Sequence, residues 1–151
     1  MGLATDVVVR ASVGSPSRDW REAIRAACAP LVKAGAVEAR YERRCIKIVE
    51  EQGPYIVISP GIALAHARPE DGVRRLALSV AVLEQPVNFG HPQNDPVDVV
   101  LAFGSPDKNA HIEMISVLAR HLIHGMAARL RATGSDADAQ AILREVIDDV
   151  P

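Results

Sequence analysis

Leu76-Ala77-Leu78-Ser79-Val80-Ala81-Val82-Leu83 is a near-continuous apolar run, and Val97-Asp98-Val99-Val100-Leu101-Ala102-Phe103 is a second, interrupted only by Asp98. Runs of this length, rich in valine, read as strands covered on both faces, because a strand with one wet face alternates apolar and polar residues. Strands of that kind need helices on either side of the sheet they build. The segment between them, Glu84 to Pro96, contains Pro86, Gly90, Pro92 and Pro96. So many breakers predict a connecting loop or an edge.

Towards the N-terminus, Val7 to Arg10 is a short β-branched run, and the turn-like Gly14-Ser15-Pro16-Ser17 predicts that this strand ends there. Ser17 or Asp19 can cap a helix whose apolar positions Trp20, Ile24, Ala27 and Leu31 recur at helical spacing. Pro30 inside it predicts a kink or restart near Ala29, with the end at Gly35. A second helix from Glu38 to Gln52 places Tyr41, Cys45, Ile48 and Val49 on one face and Arg43, Arg44, Lys47 and Glu50 largely away from it, and Gly53 stops it. Tyr55 to Ser59 reads as a strand, and Pro60 to Gly72 is punctuated as a loop. Beyond the second apolar run, a helix is predicted from Asp107 to about His124 with Ile115, Leu118 and Leu122 on one stripe. Gly125 divides it from a shorter helix ending near Thr133, and a last helix covers Asp136 to Asp149. The sum is a single domain over residues 1–151 of the α/β (α+β) class, a mixed parallel and antiparallel sheet with helices packed on both faces.

Composition narrows the function. The 151 residues are 48% hydrophobic and 24% charged, the balance of a globular chain. Lys plus Arg number 17 against 19 Asp plus Glu, a formal charge of −2, so there is no basic footprint for nucleic acid. Aromatics at 3% leave no stacking platform for single strands either. The start, MGLATDVVVRASVGS, has Asp6 and an apolar run of only Val7 to Val9, which is unlike a signal peptide. No window approaches the roughly 18 consecutive apolar residues that span a bilayer. A cytoplasmic protein without direct membrane insertion is expected. Cys28 and Cys45 have no CxxC spacing and read as two buried thiols of a reducing compartment.

Of the five histidines, two stand out. His66 lies in the Gly- and Pro-punctuated loop after a strand, between Ala65 and Ala67, whose small side chains predict an accessible imidazole. His111 opens the stripe of Met114, Ile115, Leu118 and Leu122 near a helix N-terminus, where free N–H groups favour an anion. His121 and His124 lie off that stripe, and His91 sits in a Pro-rich loop. The sequence has no HExxH, GxSxG, Walker-type or GxGxxG motif. A metal-dependent hydrolase using His66, His91 and His111 is the weakest of the alternatives left open.

The stretch GPYIVISPGIALAHARPEDGV, Gly53 to Val73, resembles the phosphohistidine segment of the enzyme IIA components of the bacterial sugar phosphotransferase system, of the mannitol/fructose type and closest to the ascorbate-type branch. Trp20-Arg21-Glu22-Ala23-Ile24, Leu31-Val32-Lys33-Ala34-Gly35 ahead of Tyr41, and His111-Ile112-Glu113 extend the resemblance over most of the chain. It implies a phosphotransferase intermediate in which His66 takes a phosphoryl group from the phosphocarrier protein HPr and passes it to a cysteine of a IIB component. The sugar, an ascorbate-like carbohydrate, would cross through a membrane IIC partner. His111 matches the family's second histidine, which assists the first. The family usually places Pro before the active histidine, and this chain has Ala65, which relaxes the loop backbone. The mannitol-type branch has an arginine in the preceding helix, but the matching turn here holds Ile48, so no arginine is carried over.

The chemistry of the residues agrees with this. A neutral imidazole offers one lone pair while its other nitrogen is held by an acceptor. Phosphoryl transfer asks for in-line positioning and charge compensation, for which His111, Arg68, Ser59 and a helix N-terminus are the available donors, and no metal or other cofactor is required. Ile62, Ala63, Leu64, Ala65 and Ala67 are expected to form a shallow apolar rim on which both partners dock. An alternative is a regulatory module of the same fold that reports its phosphorylation state to another protein.

Overall fold

The computed structural model describes residues 7–151, so Met1–Asp6 and the part of the signal-peptide reading that rests on them lie outside the described residues. In chain order the elements are β1 (Val8–Ser15), α1 (Trp20–Lys33), α2 (Ala39–Gln52), β2 (Val57–Ser59), β3 (Ile62–Ala65), a 3-10 turn (Pro69–Asp71), β4 (Ala77–Val87), β5 (Val97–Gly104), α3 (Lys108–Ile123), α4 (Met126–Ala132) and α5 (Asp136–Asp148). The two apolar runs are β4 and β5, adjacent at the centre of one five-stranded sheet of order β1-β4-β5-β3-β2. β1 pairs parallel with β4 and β3 parallel with β5, whereas β4–β5 and β2–β3 are antiparallel. The sheet is mixed, as the sequence predicts.

Strand alternation explains the two layers. Ala63, Ala65, Ala77, Ala81 and Ala102 point to the side of α1 and α2, and Leu64, Leu78, Val80, Val82, Leu101 and Phe103 to the side of α3, α4 and α5. The alanine face lets Ala23, Ala27 and Cys28 of α1, none of them exposed, lie close on the sheet. Ser79 is buried on this face, and its hydroxyl donates to the Ala27 carbonyl, so the polar atom in the β4 run is satisfied. Asp98, the interruption in the β5 run, accepts from Arg131 Nη2 of α4 at 2.8 Å and from its Nε at 2.9 Å.

The first strand ends at Ser15, inside the turn-like Gly14-Ser15-Pro16-Ser17 as the sequence predicts, after a bulge at Gly14, which adopts φ 78° where the register with β4 shifts between Val13 and Ser15. Three expectations are corrected. Pro30 does not restart α1, which runs unbroken from Trp20 to Lys33. The Ala34 amide bonds the Pro30 carbonyl at 3.1 Å, and Ala27, Cys28 and Leu31 hold the helix on the sheet across the missing donor. β4 continues past the exposed Glu84, Gln85 and Pro86 to Val87, which is buried and pairs with Val97 of β5 after a shift of register. The segment Pro60–Gly72 is not all loop, because Ile62–Ala65 is a strand buried at every position. Gly61 makes its turn with φ +77°, and a Cβ there would lie 2.6 Å from Arg131 Nη2. The helix ends fall as expected: Asp107 and Ser135 accept from the amides of Ala110 and Asp138, capping α3 and α5. Among the described residues no helix is long and apolar enough to cross a membrane.

Candidate phosphoryl-acceptor site

β3 and β5 run parallel with Ala65 opposite Ala102, so His66, the first residue past β3, comes beside Phe103 of β5 at the carboxyl end of the pair. That end of parallel strands is where ligands of open α/β sheets bind. Ser105 and Pro106 turn the chain from β5 into α3, and His111, one turn into the helix, comes back over the same end. The His66 and Phe103 rings stack with centroids 5.3 Å apart, and His111 lies 5.1 Å from Phe103 and 5.7 Å from His66. The two histidines share one aromatic floor.

His66 Nδ1 lies 3.0 Å from the Leu64 carbonyl oxygen. A carbonyl can only accept, so Nδ1 carries the proton and the lone pair sits on Nε2. Burial is the main cause that pushes the His66 pKa below its ordinary value, with the proximity of His111 adding to it and the Leu64 bond opposing. Burial also lowers the pKa of His111. His111 Nδ1 is buried without a hydrogen-bond partner.

A cleft of about 800 Å³ opens over these rings, with Arg44, Arg68 and Lys108 among its lining residues. Arg68 leads into the 3-10 turn, its amide bonded to Asp71 Oδ2 at 2.9 Å. Arg44 Nη1 meets Glu51 Oε1 at 3.1 Å in a half-exposed pair. Such a pair holds its cation weakly, so the guanidinium can turn to a dianion in the cleft. Near the amides of the first turn of α3, the helix dipole also favours negative charge. The arrangement suits a neutral nitrogen nucleophile and a phosphoryl group.

Three of the sequence-derived residues, His66, His111 and Arg68, converge on this cleft. Ser59 does not: it stands opposite Ile62 at the start of β3, about 13 Å of strand from His66, and lines a separate apolar groove with Ile58 and Ile115. His91 is not in the cleft either, and its Nδ1 accepts from the Asn94 amide at 3.0 Å. Among the described residues no three His, Cys, Asp or Glu side chains are grouped to hold a metal ion. His121 pairs with Asp149 at 2.6 Å, and the buried Cys28 and Cys45 lie between α1 and α2, outside the cleft. The expected docking rim is overturned: Ile62, Ala63, Leu64, Ala65 and Ala67 are all buried, because β3 is an inner strand. The exposed apolar side chains beside the histidines are Tyr55, 49% exposed, and Ile112, 61% exposed. Ala65, in the place of the family's proline, is fixed by its pairing with Ala102.

Sequence reasoning missed Phe103, Arg44 and Lys108. Arg44 was assigned to the outer face of α2, but Arg44, Ile48 and Gln52 form an i, i+4, i+8 row along the border of that face and line the cleft together.

Residues 10–146 match the family described as phosphoenolpyruvate-dependent sugar phosphotransferase system, EIIA 2. The chain belongs to this family. The ascorbate-specific PTS system EIIA component of Escherichia coli K12 is 42% identical over 95 residues, which span 63% of this chain and 62% of that relative. The mannitol-specific cryptic phosphotransferase enzyme IIA CmtB from Escherichia coli superposes with a TM-score of 0.80 at 25% identity, over 96% of this chain and 99% of that one. A mannitol enzyme IIA, solved in complex with phosphorylated enzyme IIB from Escherichia coli, has a TM-score of 0.71 at 23% identity over 96% of this chain and 97% of its own, and shares the fold.

Proposed function

We propose that this protein is a cytoplasmic enzyme IIA phosphocarrier in which His66 Nε2 accepts a phosphoryl group from phospho-HPr and gives it to a cysteine of a IIB component. The observation that carries the reading is the His66 ring itself, proton fixed on Nδ1 by the Leu64 carbonyl and Nε2 free to attack. In the first step the donor P–N bond breaks as the Nε2–P bond forms. In the second the IIB thiolate takes the phosphorus and Nε2 recovers its lone pair, with no net redox change and no cofactor. His111 presents Nε2–H to a phosphoryl oxygen when its buried Nδ1 is the bare nitrogen, and Arg68, Arg44 and Lys108 offset the charge. The ascorbate-specific relative supports an ascorbate-like sugar, which would enter through a membrane IIC component. The Escherichia coli mannitol complex, an enzyme IIA with a phosphorylated IIB, supports IIB as the acceptor.

Phosphoenolpyruvate, enzyme I and HPr should together add one acid-labile, base-stable phosphate, which an added IIB removes. A His66→Ala protein that still takes up the label overturns the assignment.

A further inference from the structure

We infer that Tyr41 is a positioning residue for phosphoryl transfer, one buried hydroxyl that fixes the backbone on both sides of the His66–Phe103 stack. The inference rests on His66 being the acceptor. Tyr41 comes from α2, on the opposite face of the sheet from the histidines, and is 1% exposed. Its hydroxyl accepts from the Ala67 amide at 2.9 Å and donates to the Phe103 carbonyl at 2.7 Å. Ala67 is the residue after His66, and Phe103 carries the ring on which both imidazoles lie.

Beyond Ala65 the β3–β5 ladder has ended, so no strand partner holds Ala67. The Tyr41 hydroxyl supplies a link of the kind the sheet no longer gives, and ties the His66 loop to the end of β5. Burial pushes the Tyr41 pKa far up, so the hydroxyl keeps the proton it donates at any working pH. The His66 side chain turns back along the chain to meet the Leu64 carbonyl through Nδ1, a geometry that depends on the course of the backbone at His66. An untethered Ala67 would let that turn relax and free the imidazole to rotate. Displacement of a reacting atom by about 1 Å can cost on the order of 100-fold in rate.

Tyr41→Phe removes only the oxygen. The expected result is a folded protein, still labelled on His66, whose single-turnover phosphorylation by phospho-HPr is slower by roughly tenfold or more. Its His66 ¹⁵N shifts should move from the fixed Nδ1–H form towards the tautomer mixture of a free imidazole. Val49→Ala, which opens a cavity in α2 away from the cleft, should lower Tm while leaving rate and shifts as they are. Wild-type rate and wild-type shifts in Tyr41→Phe overturn the role of Tyr41 and leave His66 as acceptor untouched. Label absent from His66 in the wild type overturns the reading beneath it. Should Tyr41→Phe fail to fold, hydrogen exchange of the wild-type Ala67 amide decides: protection supports the tether, and exchange at the rate of a free amide overturns it.

Discussion

The chemistry proposed for the cleft depends on which nitrogen of His66 is bare, and that is set two residues away by the Leu64 carbonyl. His111 shares the Phe103 floor but has no such lock, its Nδ1 being buried and unpaired, so the two histidines are not equivalent as acceptors. His111→Ala should therefore still be phosphorylated but pass its phosphate to IIB at a rate reduced by roughly 100-fold, the scale of one lost oxyanion donor. A rapid-quench transfer assay reads this, and wild-type donation would make His111 a packing residue. The pKa of His66 is lowered from its ordinary 6.5 by burial, so the proposed acceptor is more fully neutral at a given pH than a free imidazole. Acceptance should decline with falling pH through a midpoint below 6.5, where the imidazole gains its proton. For stability the sign is the same: the unfolded chain binds that proton more readily, so the contribution of neutral His66 is complete above pH 6.5 and is lost as pH falls through the lowered value. A pH–rate profile with its midpoint at 6.5 or above contradicts this. At this scale the sequence neighbourhoods and the family resemblance pointed to His66, His111 and Arg68, and the structure brings these three to one cleft. Ser59 was misjudged because nearness along the chain is not nearness across an antiparallel pair.

Short elements were the hardest to read and matter most to the site. β3 has four residues, all buried, so it shows neither the alternation of a half-exposed strand nor the length of a core run. Its register is set instead by Gly61, whose carbonyl accepts from the amides of Asp98 and Val99 at 3.0 and 3.1 Å. Gly61→Ala forces a left-handed φ on an L-residue and pushes into the Arg131–Asp98 pair, and should cost about 1–3 kcal/mol. Urea unfolding reads this as a lower midpoint, and an unchanged midpoint would show that the turn is not constrained. Pro30 was misjudged for the converse reason: local propensity asks for a break, but an apolar stripe already packed on the sheet outweighs one missing hydrogen bond. β4 and β5 were legible because both of their faces are covered by helices.

At the scale of the molecule, the two helical layers leave the carboxyl ends of β3 and β5 open between α2 and α3, and the cleft is that opening. A carrier that meets two partners in turn needs a small contact that both use and then leave. Tyr55, which lines the cleft, and Ile112, next to His111 in α3, are exposed apolar side chains, whereas the Ile62, Ala63, Leu64, Ala65 and Ala67 rim that the sequence pointed to is buried. Ile112→Glu should slow transfer from HPr and to IIB alike by about tenfold or more without lowering Tm, because the side chain is exposed. NMR titrations should show the two partners competing, and simultaneous saturation by both would contradict a shared face. The most direct test of the relay through His66 is ¹⁵N and ³¹P NMR of the protein phosphorylated by enzyme I, HPr and phosphoenolpyruvate. One phosphorus bonded to Nε2 of His66, with Nδ1 still protonated against Leu64, is the predicted spectrum. Phosphorus on Nδ1, on His111, or on no histidine at all would contradict it.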